Sequence, residues 1–317
     1  MNFVTSFRQF SRCSNSSAEA KSDEKRARQR GWALISVLWT TAMLGMMAAA
    51  TQDLTVTSVR TERRALARAH LENDLDAGVA RAILALDDSR TGERWRVDGY
   101  PYAFAYDGIP MTVSVQDEDG KFDVNEVDDD TLAPLFVSVG VDANTAVVLS
   151  DRIVEWRTQA TSDDAHTLHG GSDADYAVAG LPWHPRHADF QTVAELKLVL
   201  GITPALFARI RPAITVYSRN DSPDEDVAPQ MVLNALYPGN SAQLQKIMAQ
   251  HAGSVQAGLG TAPNTQGSAI IASGTDLSGR VFEIDVDATY MGRHETRRAV
   301  VLLTGGGTKP YLVQHWE

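Results

Sequence analysis

The pattern of apolar and polar positions divides the chain sharply. From Trp32 to Ala50 there is neither a charged residue nor a proline. Nineteen helical residues rise about 28 Å, close to the roughly 30 Å hydrocarbon core of a bilayer. Beyond it Leu71, Leu75, Val79, Ile83 and Leu86 recur at spacings of four and three, which marks one face of a helix. The first proline is Pro101, so one helix from Trp32 to about Leu86, about 80 Å long, is expected. Tyr102, Phe104 and Tyr106 then alternate with small residues, Asp107 and Gly108 offer a turn, and Met111, Val113 and Val115 alternate again. That is a β-hairpin pattern.

From Thr131 to Tyr217 the period becomes helical. Leu132, Leu135 and Phe136 open it, and Ala146, Leu149, Ile153 and Trp156 follow at spacings of three or four. A loop rich in Gly, Asp and His spans 158–189. Val193–Leu200 and Thr203–Ile210 then read as two short helices about a Leu-Gly-Ile turn. Met231, Val232, Leu233 and Leu236 predict one more short helix, and 251–278, poor in large apolar residues, reads as a loop. Phe282, Ile284, Val286, Ala288 and Tyr290 alternate with polar residues, Met291-Gly292-Arg293 turns, and Arg298–Leu303 returns. Tyr311–Trp316 is a last strand. The expected fold is α+β: a long N-terminal helix packed on an antiparallel sheet, with a large α-helical, helix-hairpin-helix insertion. The expected divisions are 1–31 leader, 32–52 membrane span, 53–125 helix and first strands, 126–240 insertion, and 241–317 loop and closing strands.

Charge adds direction. Lys25, Arg26, Arg28 and Arg30 precede the apolar run, and the next charge after it is Asp53. The basic side stays in the cytoplasm, so the bulk of the chain is expected in the periplasm on a single inner-membrane anchor. A net charge of −11 argues against nucleic acid as partner. The single cysteine, Cys13, precedes the apolar run, so the exported part carries no disulfide.

The candidate chemistry is sparse. Asp163, Asp164, Asp173 and Asp175 lie in a glycine-bearing loop and form a candidate calcium site, since calcium takes oxygen ligands. Asp117, Asp119, Asp123 and Asn125 form a second, although Gly120 stands two places too early for an EF-hand loop. The competing reading of both is a solvated acidic surface. His166, His169, His184 and His187 could supply zinc with imidazoles, but Pro185 breaks any helical presentation. No Ser-His-Asp order, P-loop or metalloprotease helix is present, so no enzymatic activity is expected.

The junction Arg30-Gly31-Trp32-Ala33-Leu34-Ile35-Ser36 has the form of a prepilin peptidase substrate: a basic leader, one glycine, then the apolar helix. A secretory signal peptide cut near Ala48-Ala49-Ala50 and an uncut signal anchor are the alternatives. With Asp119-Gly120-Lys121-Phe122-Asp123-Val124-Asn125, with Thr192–Leu196, Gly201-Ile202-Thr203 and Arg211–Tyr217, and with Val227–Leu236 and Ser278–Phe282, the chain resembles the K-type minor pseudopilins of the type II (general) secretion pathway. That resemblance implies a pilin-like fold with a SAM-like helical insertion. It implies cleavage between Gly31 and Trp32, N-methylation of Trp32, and helix packing through Ser36, Ala42 and Gly45. Its expected partners are the I- and J-type minor pseudopilins, the major pseudopilin, prepilin peptidase and the membrane, and its role is to cap the pseudopilus tip. A type IV pilus minor subunit and a signal-anchored periplasmic binding protein are the rival readings. The chain departs from the family at Glu155-Trp156-Arg157-Thr158-Gln159, where only the tryptophan is kept.

Overall fold

A computed structural model describes residues 15–88, 95–158, 170–256, 277–306 and 308–317. The chain forms two compact units, Met1–Ala69 and His70–Glu317. Helix α1 (Asn15–Asp87) contributes to both. It begins well before Trp32, because residues 18–31 are mostly Ala, Lys, Glu, Arg and Gln, which favour helix.

In the second unit the apolar stripe of α1 is buried as its spacing predicts, from Leu71 through Leu86. It lies on a five-stranded sheet built from β1 (Asp98–Tyr106), β2 (Ile109–Asp117), β5 (Val281–Tyr290), β6 (Arg293–Leu303) and β7 (Tyr311–Trp316). The order is β1-β2-β5-β6-β7 and every pairing is antiparallel. Asp107 and Gly108 (φ 48° and 78°) close the first hairpin, and Met291 and Gly292 (φ 49° and 77°) close the second. Positive φ at both central residues is what a two-residue hairpin turn demands. Tyr102, Met111, Val113, Val115, Ile284 and Val286 join the α1 stripe in one core. The helix comes so close that a Cβ at Gly78 would lie 2.7 Å from Val286 Cγ1.

Because β2 pairs directly with β5, Asp117 opposite Phe282, everything between them is an excursion from the sheet. Its elements are β3 (Phe122–Asp123), α2 (Asp129–Ser138), α3 (Ala143–Arg157), α4 (Asp173–Val178), α5 (Pro204–Ile210), β4 (Ile214–Thr215), α6 (Gln230–Leu236) and α7 (Ser241–Gln256). Side-chain caps start the helices: Asp128 accepts from Thr131 N, Asp142 from Thr145 N, and Thr203 from Leu206 N. A second core runs from Phe122 to Ile247 and includes Leu132, Phe136, Leu149, Ile153, Trp156, Leu196 and Leu233.

Several local expectations are corrected. Residues 193–198 form a 3-10 turn rather than an α-helix. The loop 158–189 contains α4, held by a Ser172/Asp175 capping box. The helical block also holds a two-stranded parallel ladder, Phe122 with Ile214 and Asp123 with Thr215, which two-residue strands cannot announce by alternation. Helix α7 occupies the start of the span expected to be loop. Asn240 accepts from Gln243 N at its start, and Leu244 and Ile247 pack on the second core, so that core continues beyond residue 240.

Candidate functional site

In the first unit, Trp32–Ala49 is long and apolar enough to cross a membrane, with a mean hydropathy of 1.6, and none of it is buried. Trp32, Leu34, Leu38, Trp39, Met43 and Met46 are each more than two thirds exposed. The hydroxyls in the span turn inward on the helix. Ser36 donates to Ala33 O at 2.9 Å, Thr40 to Val37 O at 2.9 Å, and Thr41 to Val37 O at 2.9 Å. Hydroxyls satisfied within the helix can enter lipid or pack against other helices at little cost. A Cβ at Gly45 would meet nothing within 4 Å. Gly31 and Trp32 are consecutive residues of α1.

In the second unit, the acidic stretch after β2 does something the sequence reading missed. Lys121 is 1% exposed; its Nζ lies 2.9 Å from Glu118 Oε1 and 3.1 Å from Glu283 Oε1. Arg211 Nη2 reaches the other oxygen of Glu283 at 2.8 Å, and Arg298 pairs with Asp285 at 2.6 Å. Arg280 closes on Asp117 at 2.9 Å and Asp119 at 3.2 Å. Gln116 Nε2 donates to Val227 O at 2.7 Å. These contacts join the sheet to the helical excursion, for Glu283 and Arg298 belong to β5 and β6 while Lys121 and Arg211 flank β3 and β4. Sequence separation hides most of these pairs: Lys121 and Arg211 stand far before Glu283, and Arg280 far after Asp117 and Asp119.

The electrostatics follow from burial. Burial pushes the Asp117 carboxyl up to about 7, against the pull of Arg280. Burial also works to raise Glu283, but Lys121, Arg211 and Arg298 outweigh it and hold that carboxyl down at about 2. Lys121 is raised: burial opposes its charge, and Glu118 and Glu283 overcome that. The charges are consumed by one another, so the cluster orients two cores rather than presenting a reactive group.

The second candidate calcium set is taken up by the protein in the same way. Asp117 and Asp119 face Arg280. Asp123 accepts from Asn125 N at 2.9 Å and Arg219 N at 2.8 Å, and Asn125 exchanges two hydrogen bonds with the Phe190 backbone. Of the first set, Asp163 and Asp164 lie outside the described residues, as do His166 and His169. Asp175 Oδ2 accepts from Ser172 N at 3.0 Å, capping α4. Asp173 Oδ1 is 3.1 Å from His187 Nε2 and 3.9 Å from His184 Nδ1, so its near neighbours are imidazoles. Trp156 packs against Phe190 and Tyr176 with ring centroids 5.9 and 6.0 Å away.

One comparison with known proteins falls on part of this region. Residues 113–219 match the family model described as type II secretion system (T2SS), protein K. A type II secretion system protein K from Pectobacterium carotovorum subsp. carotovorum is 25% identical over 221 residues, covering 60% of this chain. The chain spans 63% of the length of that curated relative. Among solved structures, the GspK-GspI-GspJ complex from the enterotoxigenic Escherichia coli type 2 secretion system contains a chain of the same fold. The TM-score is 0.53 at 14% identity, over 81% of this chain and 98% of that one. The matched span of 113–219 contains the end of β2, Glu118, Lys121 and Arg211 of the charged cluster, and α2 to α5, and with them four of the stretches by which the sequence resembles the same family: 119–125, 192–196, 201–203 and 211–217. Over residues 113–219 the chain is similar to the type II secretion system protein K family, and its fold is that of the matched chain.

Proposed function

We propose that the chain is a minor pseudopilin, a non-enzymatic subunit that caps the tip of a periplasmic pseudopilus and supports export across the outer membrane. The observation that carries this reading is that one chain holds both a stretch similar to protein K and an exposed apolar span of α1 that starts directly after Gly31. Prepilin peptidase cuts between Gly31 and Trp32, and the new amino terminus is methylated. The apolar helix holds the subunit in the inner membrane before assembly, with a cytoplasmic leader and a periplasmic second unit. Afterwards it packs against partner helices through Ser36, Ala42 and Gly45, whose small side chains permit close approach.

Ser36 supports the tip position. It stands five residues into the mature helix, where major pilins carry a glutamate that neutralises a neighbour's amino terminus. A buried carboxylate without that amine is costly, and a subunit with no neighbour above it has no amine to meet. The matched structure is a complex of GspK with GspI and GspJ, which supports I- and J-type minor pseudopilins as partners here, with the major pseudopilin below them. Calcium belongs to this reading as a ligand of Asp163, Asp164, Asp173 and Asp175; Asp163→Asn with Asp164→Asn should abolish Ca2+-induced protection from proteolysis.

Co-expression of the full chain with the I-, J- and major-type pseudopilins of its own system tests the assignment. Co-purification of a stable complex with the I and J types is the expected result. A chain that ignores them and elutes with type IV pilus subunits would overturn it.

A further inference from the structure

A second site lies where α1 meets the turn between β1 and β2. His70 and Asp74 are one helical turn apart on α1, and Asp107 is the first residue of the turn. His70 Nδ1 is 3.9 Å from Asp74 Oδ2 and 3.8 Å from Asp107 Oδ2. One donor atom from each of the three falls within 4.8 Å of the other two.

Asp74 makes this more than a chance meeting of surface charges. It is 3% exposed, and its Oδ2, the oxygen nearest His70, has no hydrogen-bond partner among the described residues. A buried carboxylate oxygen left unpaired is strongly disfavoured. An imidazolium between the two carboxylates does not relieve it, since 3.8 and 3.9 Å are too long for hydrogen bonds. His70 and Asp107, by contrast, are largely exposed, so the pocket they form with Asn73 and Tyr106 opens to solvent on one side. An ion could enter there and complete its shell with water.

We propose that His70, Asp74 and Asp107 bind a divalent first-row transition ion of the zinc class. One imidazole and two carboxylates are a usual donor set for such ions, whereas magnesium and calcium favour oxygen alone. Two carboxylates balance the charge of the ion. Ligands of a tetrahedral zinc lie about 3.4 Å from one another, so the observed spacing closes with small rotations of the two exposed side chains. The i, i+4 placement of His70 and Asp74 aims both at one point over the helix. Bound metal would pin the β1–β2 turn to α1. The site is separate from the calcium loop and independent of the pseudopilin assignment.

The test is zinc titration of the full, detergent-solubilised chain by calorimetry, with Co2+ absorption as a second probe. The parent should bind one zinc equivalent that is at least about tenfold weaker in His70→Gln and in Asp74→Asn, the loss of a direct ligand being no milder than that of an outer-shell partner. Asp173→Asn, next to the other histidines, should leave that equivalent in place. His70 is exposed, so His70→Gln tests binding even if Asp74→Asn fails to fold. Zinc binding by His70→Gln equal to the parent's, or loss of the equivalent in Asp173→Asn instead, would overturn the proposal.

Discussion

Lys121 is buried between Glu118 and Glu283, and each of the three depends on the others for its charge. Removing one member of a buried pair typically costs about 3–5 kcal/mol because an uncompensated ion is left behind. Lys121→Met should therefore destabilise the second unit by about that amount in chemical denaturation, while Lys246→Met, on a surface helix, should leave it nearly unchanged. The same cluster sets the pH response, with two opposite signs. Asp117 has a folded-state value near 7 against an ordinary 3.8, so the fold favours its protonated form. That contribution is lost as pH rises from about 4 to about 7. Glu283, held at about 2 against 4.5, contributes above its unfolded value and loses that contribution as pH falls toward 2. The melting temperature of Asp117→Asn should vary less between about pH 4 and 7 than the parent's, and a parallel decline in both would refute this assignment. None of this was legible in the sequence. Asp117, Glu118 and Asp119 read there as an acidic surface, because charge runs usually face water. Arg280, the cation of Asp117 and Asp119, becomes their neighbour only after the chain folds, and so does Glu283, the second carboxylate on Lys121.

At the scale of elements, periodicity served well wherever an element has one buried face. The α1 stripe and the alternation in β1, β2, β5 and β6 all lie on one core, and each hairpin turn falls on the pair of residues that tolerates positive φ. It failed where an element is too short to show a period, as in β4, or where a helix touches the core at few points, as α7 does at Leu244 and Ile247. Gly78 was visible only as an interruption of a helical pattern; the structure gives its reason, the close approach of Val286. Gly78→Leu should force α1 from the sheet and cost roughly 1–3 kcal/mol, as overpacking does, measured as a lower denaturation midpoint. An unchanged midpoint would mean that the helix rides farther from β5 than described.

For the whole molecule, the apolar span was readable from the start. The basic leader, Gly31 and the uncharged run after it need only composition and length to be recognised. The similarity to protein K was readable as an ordered set of weak motifs, and the structure shows what several do: Lys121 bridges two carboxylates, Asp123 caps the turn at Asn125, and Asn125 clamps Phe190. Metal was the least legible. Half of the calcium set lies outside the described residues, and the buried Asp74 was indistinguishable from any other polar helix residue until its unpaired oxygen was located. The proposed function stands on the processing of α1 after Gly31. Its most direct test is the intact mass and amino-terminal sequence of the membrane-extracted protein, with and without prepilin peptidase. The account predicts a chain beginning at Trp32, methylated at its new amino terminus, only when the peptidase is present. An uncut chain under both conditions, or one cut near Ala50, would contradict it.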